Sequence, residues 1–153
     1  MRVEVVDPCG TDALALLHEA ALEARRLYAD LFAPGAPMPG NPPAAPGCVY
    51  LVAYDDAGSP TGCAALRMID SQTAEVRRVY VLKAWRREGV AQVLMARLED
   101  EARALGYREL KLETGNRQQP AMALYESLGY ARIAPFGPYA GDPTSVCFGK
   151  RLV

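Results

Sequence analysis

The residues whose types and spacing could bind an anion occupy positions 86 to 91. This stretch, Arg86-Arg87-Glu88-Gly89-Val90-Ala91, follows a valine-rich run and opens a strongly periodic helical pattern. The first turn of a helix has free amides and the positive end of the helix dipole, so a phosphate can bind there. Gly89 and Ala91 would let a pyrophosphate approach the backbone, and the two arginines could add charge-assisted hydrogen bonds. Taken alone, the stretch is equally typical of a surface turn with two solvated arginines.

Two widespread phosphate-binding patterns do not occur in this stretch. It is not a G-x-x-x-x-G-K-[ST] loop, and it is not G-x-G-x-x-G. A nucleoside-triphosphate loop and a dinucleotide-binding fold therefore gain no support from it.

Two segments together resemble the GNAT superfamily of acetyltransferases. Arg86-x-x-Gly89-x-Ala91 is similar to the family's Q/R-x-x-G-x-G/A pyrophosphate motif, and it likewise follows a Val-x-Val strand and opens a helix. Residues 121–130, AMALYESLGY, resemble the family's downstream A-x-x-L-Y-E-x-x-G-F/Y helix. The resemblance covers nearly the whole chain. Residues 135–148 also look like the tail of a bacterial branch of small members, which does not identify a substrate.

The resemblance implies that acetyl-CoA is the acyl donor. It would lie between diverging strands at 74–81 and 109–114, where the backbone of Val79 and Val81 would hold the pantetheine arm and the thioester carbonyl. Many members have asparagine seven residues before the family tyrosine, and the longer Gln118 stands there in this chain. The cofactor-binding residues implied in this way are Val79, Tyr80, Val81, Arg86, Arg87, Glu88, Gly89, Val90, Ala91, Gln118 and Tyr125.

The resemblance also implies direct attack of an amine on the thioester. This reaction needs a neutral amine, a stabilised oxyanion and a proton for the leaving thiolate. Tyr125 matches the family tyrosine that donates this proton, and a phenol with a pKa of about 10 can protonate a thiolate of similar basicity. The alternative is that Tyr125 only packs against a strand.

The residue that removes the amine proton has several candidates. Glu75 stands eleven residues before Arg86, which matches the catalytic base of some family members. Regular strand alternation would put Glu75, Arg77, Val79 and Val81 on one face. The alternatives are Glu113 on the neighbouring strand, water in place of any carboxylate, or a surface role for Glu75 paired with Arg77 or Arg78.

The function implied is an N-acetyltransferase that acts on the primary amine of a small molecule, such as an amino acid or an antibiotic-like compound. A protein lysine or N-terminus is the alternative acceptor. A CoA-binding regulatory module without catalysis is a further alternative, and the presence of Glu75 and Tyr125 favours the enzyme.

The elements that must position these residues follow from the hydrophobic pattern. The pattern predicts the order β-α-βββ-α-β-α-β-β, a mixed and mainly antiparallel α/β (α+β) sheet with helices packed on it. The resemblance implies that this is the GNAT fold, with helices on both faces. Thr11 or Asp12 would cap the first helix. The predicted strands are 2–6, 48–55, 61–69, 74–81, 109–114, a strand from 132 and 145–152, and the predicted helices are 11–32, 89–105 and 120–128. The apolar face predicted for the first helix is Leu14, Leu17, Ala21, Ala24, Tyr28 and Leu31. The apolar face predicted for the second helix is Val90, Leu94, Leu98, Ala102 and Leu105, with Gly106 as the C-cap.

The proline content of residues 33–47 predicts a long irregular loop. They hold six of the twelve prolines, each of which lacks an amide donor and has a restricted φ. Long loops in compact domains are often lids or binding loops. The aromatic residues that could border an acceptor pocket beside this loop, or else pack in the core, are Tyr28, Phe32, Phe136 and Tyr139.

Length and charge limit the function classes. The 153 residues fit one domain, 1–153, and the net charge of −1 argues against a nucleic-acid partner. The N-terminus lacks a signal-peptide pattern, and no stretch approaches 18 apolar residues. We therefore expect a cytoplasmic protein with no membrane partner, and the family resemblance is compatible with a homodimer.

The cysteines and the histidine argue against a metal site. No C-x-x-C pair is present, and His18 is the only histidine, so a zinc site is not expected. We expect reduced cysteines that pack as small apolar side chains. The four cysteines are Cys9, Cys48, Cys63 and Cys147.

Overall fold

A seven-stranded sheet runs through residues 1–152, the part of the chain that the computed structural model describes. Its strands are β1 (Arg2–Val5), β2 (Val49–Tyr54), β3 (Pro60–Met68), β4 (Thr73–Val81), β5 (Glu109–Gly115), β6 (Ala131–Ile133) and β7 (Ser145–Arg151). The helices are α1 (Thr11–Leu27), α2 (Val90–Ala104) and α3 (Gln119–Ser127). The strand order in the sheet is β1-β2-β3-β4-β5-β7-β6. All neighbouring pairs are antiparallel except β4 and β5, which are parallel.

The helices lie on both faces of the sheet. On one face α1 packs through Ala13 and Leu16 against alternate residues of β2 and β3. On the opposite face α2 and α3 form the main core with the other alternate residues of the same strands and with β4, β5 and β7. This arrangement confirms the predicted mixed, mainly antiparallel α/β architecture.

The helix behind the predicted anion-binding turn follows its sequence pattern closely. The predicted apolar residues Val90, Leu94, Leu98 and Ala102 are all buried, which fixes α2 firmly against the sheet. Leu105, also predicted for this stripe, is exposed, because the helix ends at Ala104 and the left-handed Gly106 (φ +89°) turns the chain away.

The first helix departs from its prediction at both ends. Gly10 is its N-cap and no side chain caps it, because Asp12 instead accepts a 2.7 Å hydrogen bond from the Tyr54 hydroxyl. The helix stops at Leu27 rather than near residue 32. Tyr28 leaves the helical conformation because its hydroxyl accepts the Arg117 amide at 3.0 Å, beyond the end of β5. Tertiary contacts therefore override the helical pattern here.

The face that α1 buries matches the predicted one in part. The predicted Leu17, Ala21 and Tyr28 are buried, whereas Leu14 and Leu31 are exposed and Ala13 and Leu16 are buried in addition. None of the helices within residues 1–152 is long and apolar enough to cross a membrane.

Candidate active site

The two parallel strands at the centre of the sheet separate halfway along their length. Their register begins at Thr73 and Glu109 and ends at the pair Val76 and Leu112, although β4 continues to Val81 and β5 to Gly115. Beyond that last pair, the backbone edges that face each other have no ladder partner. The strands thus open a cleft where the sequence predicted that acetyl-CoA would lie.

A β-bulge in β4 sets which side chains face each side of the sheet. Cys63 pairs with Tyr80 and Ala65 with Arg77, so β4 has one residue more than β3 in this interval. Arg78 lies in the bulge with a φ of +60°, a conformation that residues other than glycine rarely adopt.

The bulge makes one sequence prediction wrong. Val79 and Val81 pack against the main core, together with Val76, whereas Tyr80 packs on the α1 side. Glu75 alternates with the core residue Val76, so it does not share a face with the two valines as predicted. The extra residue reverses the alternation, and nothing in the Arg77-Arg78 sequence signals a bulge.

The turn before α2 leaves a set of backbone donors open. Gly89 is the N-cap with a φ of +80°, and Arg87 also has a positive φ of +67°. The first helical amide bond runs from Val93 to the Gly89 carbonyl at 3.1 Å. Within residues 1–152 the amides from position 87 to position 92 donate no hydrogen bond. Free amides at a helix N-terminus are a chemically suitable site for an anion.

The two arginines of this turn differ in what they bind. The Arg86 guanidinium donates to the Val81 carbonyl at 3.0 Å and to Glu23 of α1 at 2.6 Å. Its hydrogen bond lowers the pKa of Glu23, which also accepts a bond from the Tyr80 hydroxyl. Arg87 and Glu88 are exposed, and within residues 1–152 the Arg87 guanidinium makes no hydrogen bond. Arg86 therefore fixes the turn against α1, and Arg87 is the arginine that is free to meet an anion.

Tyr125 is buried in α3 but keeps an unpaired hydroxyl. Its ring packs against those of Phe148 and Tyr130, with centroids 6.2 and 6.0 Å away. Burial raises the pKa of Tyr125, so the phenol stays protonated at neutral pH. No hydrogen bond to the hydroxyl is present within residues 1–152. Tyr125 therefore packs in the core through its ring, while its hydroxyl is free to donate a hydrogen bond to another group.

Gln118 lies on the β5 side of the cleft, at the start of α3. It is the N-cap of this helix, yet its side chain makes no capping hydrogen bond. Its carbonyl accepts the Met122 amide at 3.1 Å, while the partly exposed amide group stays free.

Glu75 is enclosed on the face of the sheet opposite the main core. The side chain is 1% exposed, and each carboxylate oxygen has a partner: Arg67 donates to Oε1 at 2.6 Å and Tyr139 to Oε2 at 2.5 Å. The predicted surface role with Arg77 or Arg78 is wrong, because the antiparallel register places Arg67 directly opposite Glu75. This partner was missed, although aligning β3 with β4 across their short turn would have shown it.

Glu113 is the second carboxylate on this side, and it is less constrained. It accepts one short bond, from the Ser145 hydroxyl at 2.6 Å. Burial raises the pKa of Glu113, and the nearby carboxylates Asp142 and Glu75 add to this, whereas Ser145 and Arg77 oppose it. Glu113 is thus a more basic carboxylate than usual and can accept a proton more readily.

Hydrogen bonds hold the proline-rich loop against the sheet. Arg78 donates to the Asn41 side chain and to the Gly40 carbonyl, both at 3.1 Å. Tyr107 donates to the carbonyl of Gly47 at 2.6 Å, close to the end of the loop. The middle of the loop, at Gly40 and Asn41, therefore lies next to the bulge, and its end is held by a residue just before β5.

The aromatic residues predicted to border a pocket fall into two groups. Phe136 and Tyr139 meet edge to face, with centroids 5.3 Å apart, beside Glu75. Tyr28 is buried against Gly115, and Phe32 is exposed with Arg25 over its ring. Of this predicted set, Tyr139 is the one that touches a candidate catalytic carboxylate.

Comparisons with known proteins agree with this geometry. The model of the Acetyltransferase (GNAT) family matches residues 14–130. An IAA acetyltransferase from Azospirillum brasilense is 41% identical over 111 residues, which cover 71% of each chain. A solved structure from Klebsiella pneumoniae, assigned as an acyl-CoA N-acyltransferase, has a TM-score of 0.84 at 28% identity and covers 99% of this chain and 97% of its own. A GNAT acetyltransferase from Elizabethkingia anophelis with acetyl-CoA bound shares the fold, with a TM-score of 0.68, 15% identity and coverage of 98% and 97%.

Proposed function

Since the chain belongs to the GNAT family and is therefore an N-acetyltransferase, we propose that it moves the acetyl group of acetyl-CoA onto a primary amine of a small molecule. The observation that carries this proposal is the opening between β4 and β5, where Glu113 lies just past the last paired residues and β4 leads on to the free amides before α2. A donor with an anionic end and a reactive thioester end fits such a path.

The anionic end of the donor would bind at the start of α2. The amides from Arg87 to Gln92 are free to donate to the pyrophosphate, and Gly89 leaves open space above the backbone, with no atom within 4 Å of an added Cβ. Arg87 would add a positive charge. Arg86, already bonded to Glu23, would act by holding the turn in place.

The pantetheine arm would follow the unpaired edge of β4. The backbone groups of Val79, Tyr80 and Val81 lie past the last pair of the parallel ladder. Backbone amides at such an edge can also donate to the thioester oxygen, which gains negative charge as the amine attacks. Gln118, at the opposite side of the cleft, would contact the donor through its free amide group.

The transfer itself needs two proton movements. The amine nitrogen attacks the thioester carbon, so that a C–N bond forms and the C–S bond breaks. Tyr125 would donate its hydroxyl proton to the leaving sulfur, since this hydroxyl has no hydrogen-bond partner within residues 1–152. Burial raises the pKa of the phenol and makes it a weaker acid, but the same burial makes a thiolate formed beside it more basic. The proton of the attacking amine must pass to a base, directly or through water.

Glu113 is the carboxylate best suited to take that proton. Its raised pKa and single hydrogen bond leave it able to accept a proton, whereas both oxygens of Glu75 are already bonded. Glu75 would then act by holding Arg67 and Tyr139 in position. Water without either carboxylate is the remaining alternative.

The acceptor is proposed as a small molecule because the loop 33–47 is tied over this side of the sheet by Arg78. The test is a thiol-release assay with two panels, small primary amines and lysine-containing or free N-terminal peptides, each confirmed by mass spectrometry of the product. We expect turnover on members of the first panel. Turnover confined to peptides would overturn the choice of acceptor, and acetyl-CoA binding without turnover on either panel would indicate a non-catalytic module.

A further inference from the structure

Two consecutive half-buried arginines, Arg77 and Arg78, lie at the bulge. They lie on the face of the sheet opposite the main core, which we call the acceptor side. In a regular strand, neighbouring residues point to opposite faces, but a bulge places two residues of one strand opposite one residue of the next. Arg78 donates hydrogen bonds to the loop residues Asn41 and Gly40. Arg77 stands two residues after Glu75 and lies on the same face, away from the main core. The bulge therefore brings both positive charges to one region.

Neither arginine has a carboxylate partner. Some arginines of the chain form ion pairs with carboxylates, as Arg67 does with Glu75 and Arg86 with Glu23, but within residues 1–152 no salt bridge involves Arg77 or Arg78. Burial lowers the pKa of Arg78, and the charge of Arg77 lowers it further. Two partly desolvated positive charges side by side are unfavourable unless an anion compensates them.

The nearest carboxylates do not provide that compensation. Both oxygens of Glu75 are occupied by Arg67 and Tyr139, and Glu113 accepts from Ser145. Arg77 is nevertheless close enough to oppose the rise in the pKa of Glu113 and of Tyr139. A positive group and a basic carboxylate thus lie close together at the opening between the strands.

This pair of charges is complementary to a molecule that has both an amine and a carboxylate. The parallel register pairs Glu75 with Lys111 and Val76 with Leu112, so one further step sets Arg77 beside Glu113 across the opening. An amine directed at Glu113 would place a nearby carboxylate at Arg77. A guanidinium binds a carboxylate through two parallel hydrogen bonds, which also fixes its orientation.

We infer that Arg77, with Arg78 beside it, binds the carboxylate of the acceptor, and that the acceptor is an amino acid or a closely related amine that has a carboxylate. This inference rests on the proposed acetyl transfer to a small-molecule amine and names its substrate class. The donor is bound elsewhere, since its pyrophosphate would lie at positions 87 to 92.

The test compares free amino acids with their carboxamides as acceptors. A carboxamide has the less basic amine and so offers more of the neutral, reactive form at a given pH. A preference for the free acid would therefore report recognition of the carboxylate rather than amine reactivity. We expect kcat/KM to be at least about tenfold higher for the acid with the best side chain, in keeping with a charge-assisted contact.

Variants separate this role from a structural one. Arg77→Gln should lower kcat/KM for the acid by about tenfold or more, mainly through KM, and should affect the carboxamide much less, with acetyl-CoA affinity unchanged. Both acceptors are compared at a pH well above the acidic limb, because Arg77 also lowers the pKa of Glu113. Arg77→Lys should restore part of the loss. Arg108→Gln is the matched control, because Arg108 is exposed at the start of the β4–β5 ladder, far along the strand from Glu113.

The contradicting outcomes are distinct from failure of the proposed function. Equal rates for acids and carboxamides in the wild type, or equal losses on both in Arg77→Gln, would overturn the carboxylate site while leaving acetyl transfer intact. If no amine is acetylated, the carboxylate site is tested by calorimetric titration of an N-acetyl amino acid into the enzyme in the presence of CoA. Binding that Arg77→Gln abolishes would support the site, and absence of binding to the wild type would reject it.

Discussion

The Tyr139 hydroxyl donates a 2.5 Å hydrogen bond to Oε2 of Glu75, from a residue 64 positions further along the chain. This bond and the one from Arg67 occupy both oxygens of a carboxylate that is 1% exposed. The bond also joins the segment before β7 to the centre of the sheet. Glu75 therefore connects β3 with the segment before β7, and Glu113 is the carboxylate that we propose as the base.

Glu113→Gln should remove the base without harming the fold. We expect kcat/KM to fall by about 100-fold or more, the usual contribution of a positioned base. Burial already disfavours the charged form of Glu113, so the neutral glutamine should leave the melting temperature unchanged or higher. Steady-state kinetics and thermal denaturation measure the two effects. Glu75→Gln is the comparison: it should lower the melting temperature, because it disturbs the bonded pair with Arg67.

The pH profile gives an independent check on Glu113. A base acts when deprotonated, so activity should fall as the pH drops through the Glu113 pKa, which lies above the usual 4.5. The Glu113→Gln variant should lack this acidic limb and retain only the dependence due to the amine. Identical acidic limbs in both enzymes would show that Glu113 is not the base.

Tyr125→Phe should separate chemistry from packing. The phenylalanine ring keeps the contacts with Phe148 and Tyr130, so stability and acetyl-CoA affinity should stay close to the wild-type values. Turnover should fall by about 100-fold, because the leaving thiolate loses its proton donor. Single-turnover measurements, which isolate the chemical step, provide the readout. An unchanged chemical rate would assign Tyr125 to the core alone.

Two substitutions at Gly89 test the anion site. Both Gly89→Ala and Gly89→Glu place a Cβ at a φ of +80°, which costs roughly 1–2 kcal/mol in stability. The glutamate alone adds a negative charge where the pyrophosphate would bind. We expect acetyl-CoA affinity to be at least about tenfold lower in Gly89→Glu than in Gly89→Ala, measured by calorimetry. Equal affinities would place the pyrophosphate elsewhere.

Gly115→Ala tests the contact that ends α1. An added Cβ would lie 1.8 Å from the Tyr28 hydroxyl oxygen and 2.5 Å from its ring carbon Cζ, so Tyr28 must move and release the Arg117 amide. We expect a loss of about 1–3 kcal/mol in unfolding free energy, measured by denaturant titration. The control is Gly58→Ala, where φ is also positive (+82°) but no atom lies within 4 Å. A loss no larger than that of the control would mean that Tyr28 packs differently.

The sequence predicted the parts of this fold that depend on local pattern. The spacing of Val90, Leu94 and Leu98 encodes the buried face of α2, and glycines such as Gly106 mark where helices end. The turn before α2 could be located because the helical pattern starts at Val90, and a helix N-terminus is a suitable site for an anion. Strand limits differed from the predicted ones by at most one residue at each end.

The features that the sequence did not predict depend on contacts between distant residues. The extra residue at Arg78 has no local signal, yet it decides which face Glu75 and Val79 occupy. The end of α1 depends on Tyr28 meeting Gly115, some 90 positions away, and the state of Glu75 depends on Tyr139. These relationships arise only once the sheet has assembled.

Acetyl transfer to a small amine is tested most directly by measuring both products of one reaction. Acetyl-CoA labelled in its acetyl group is incubated with the enzyme and an amine panel, and free CoA and N-acetylated amine are quantified together by mass spectrometry. We predict that one or more small amines give CoA and labelled N-acetyl product in a one-to-one ratio, and that Tyr125→Phe slows both equally. Release of CoA without any N-acetylated small amine would contradict the proposed function.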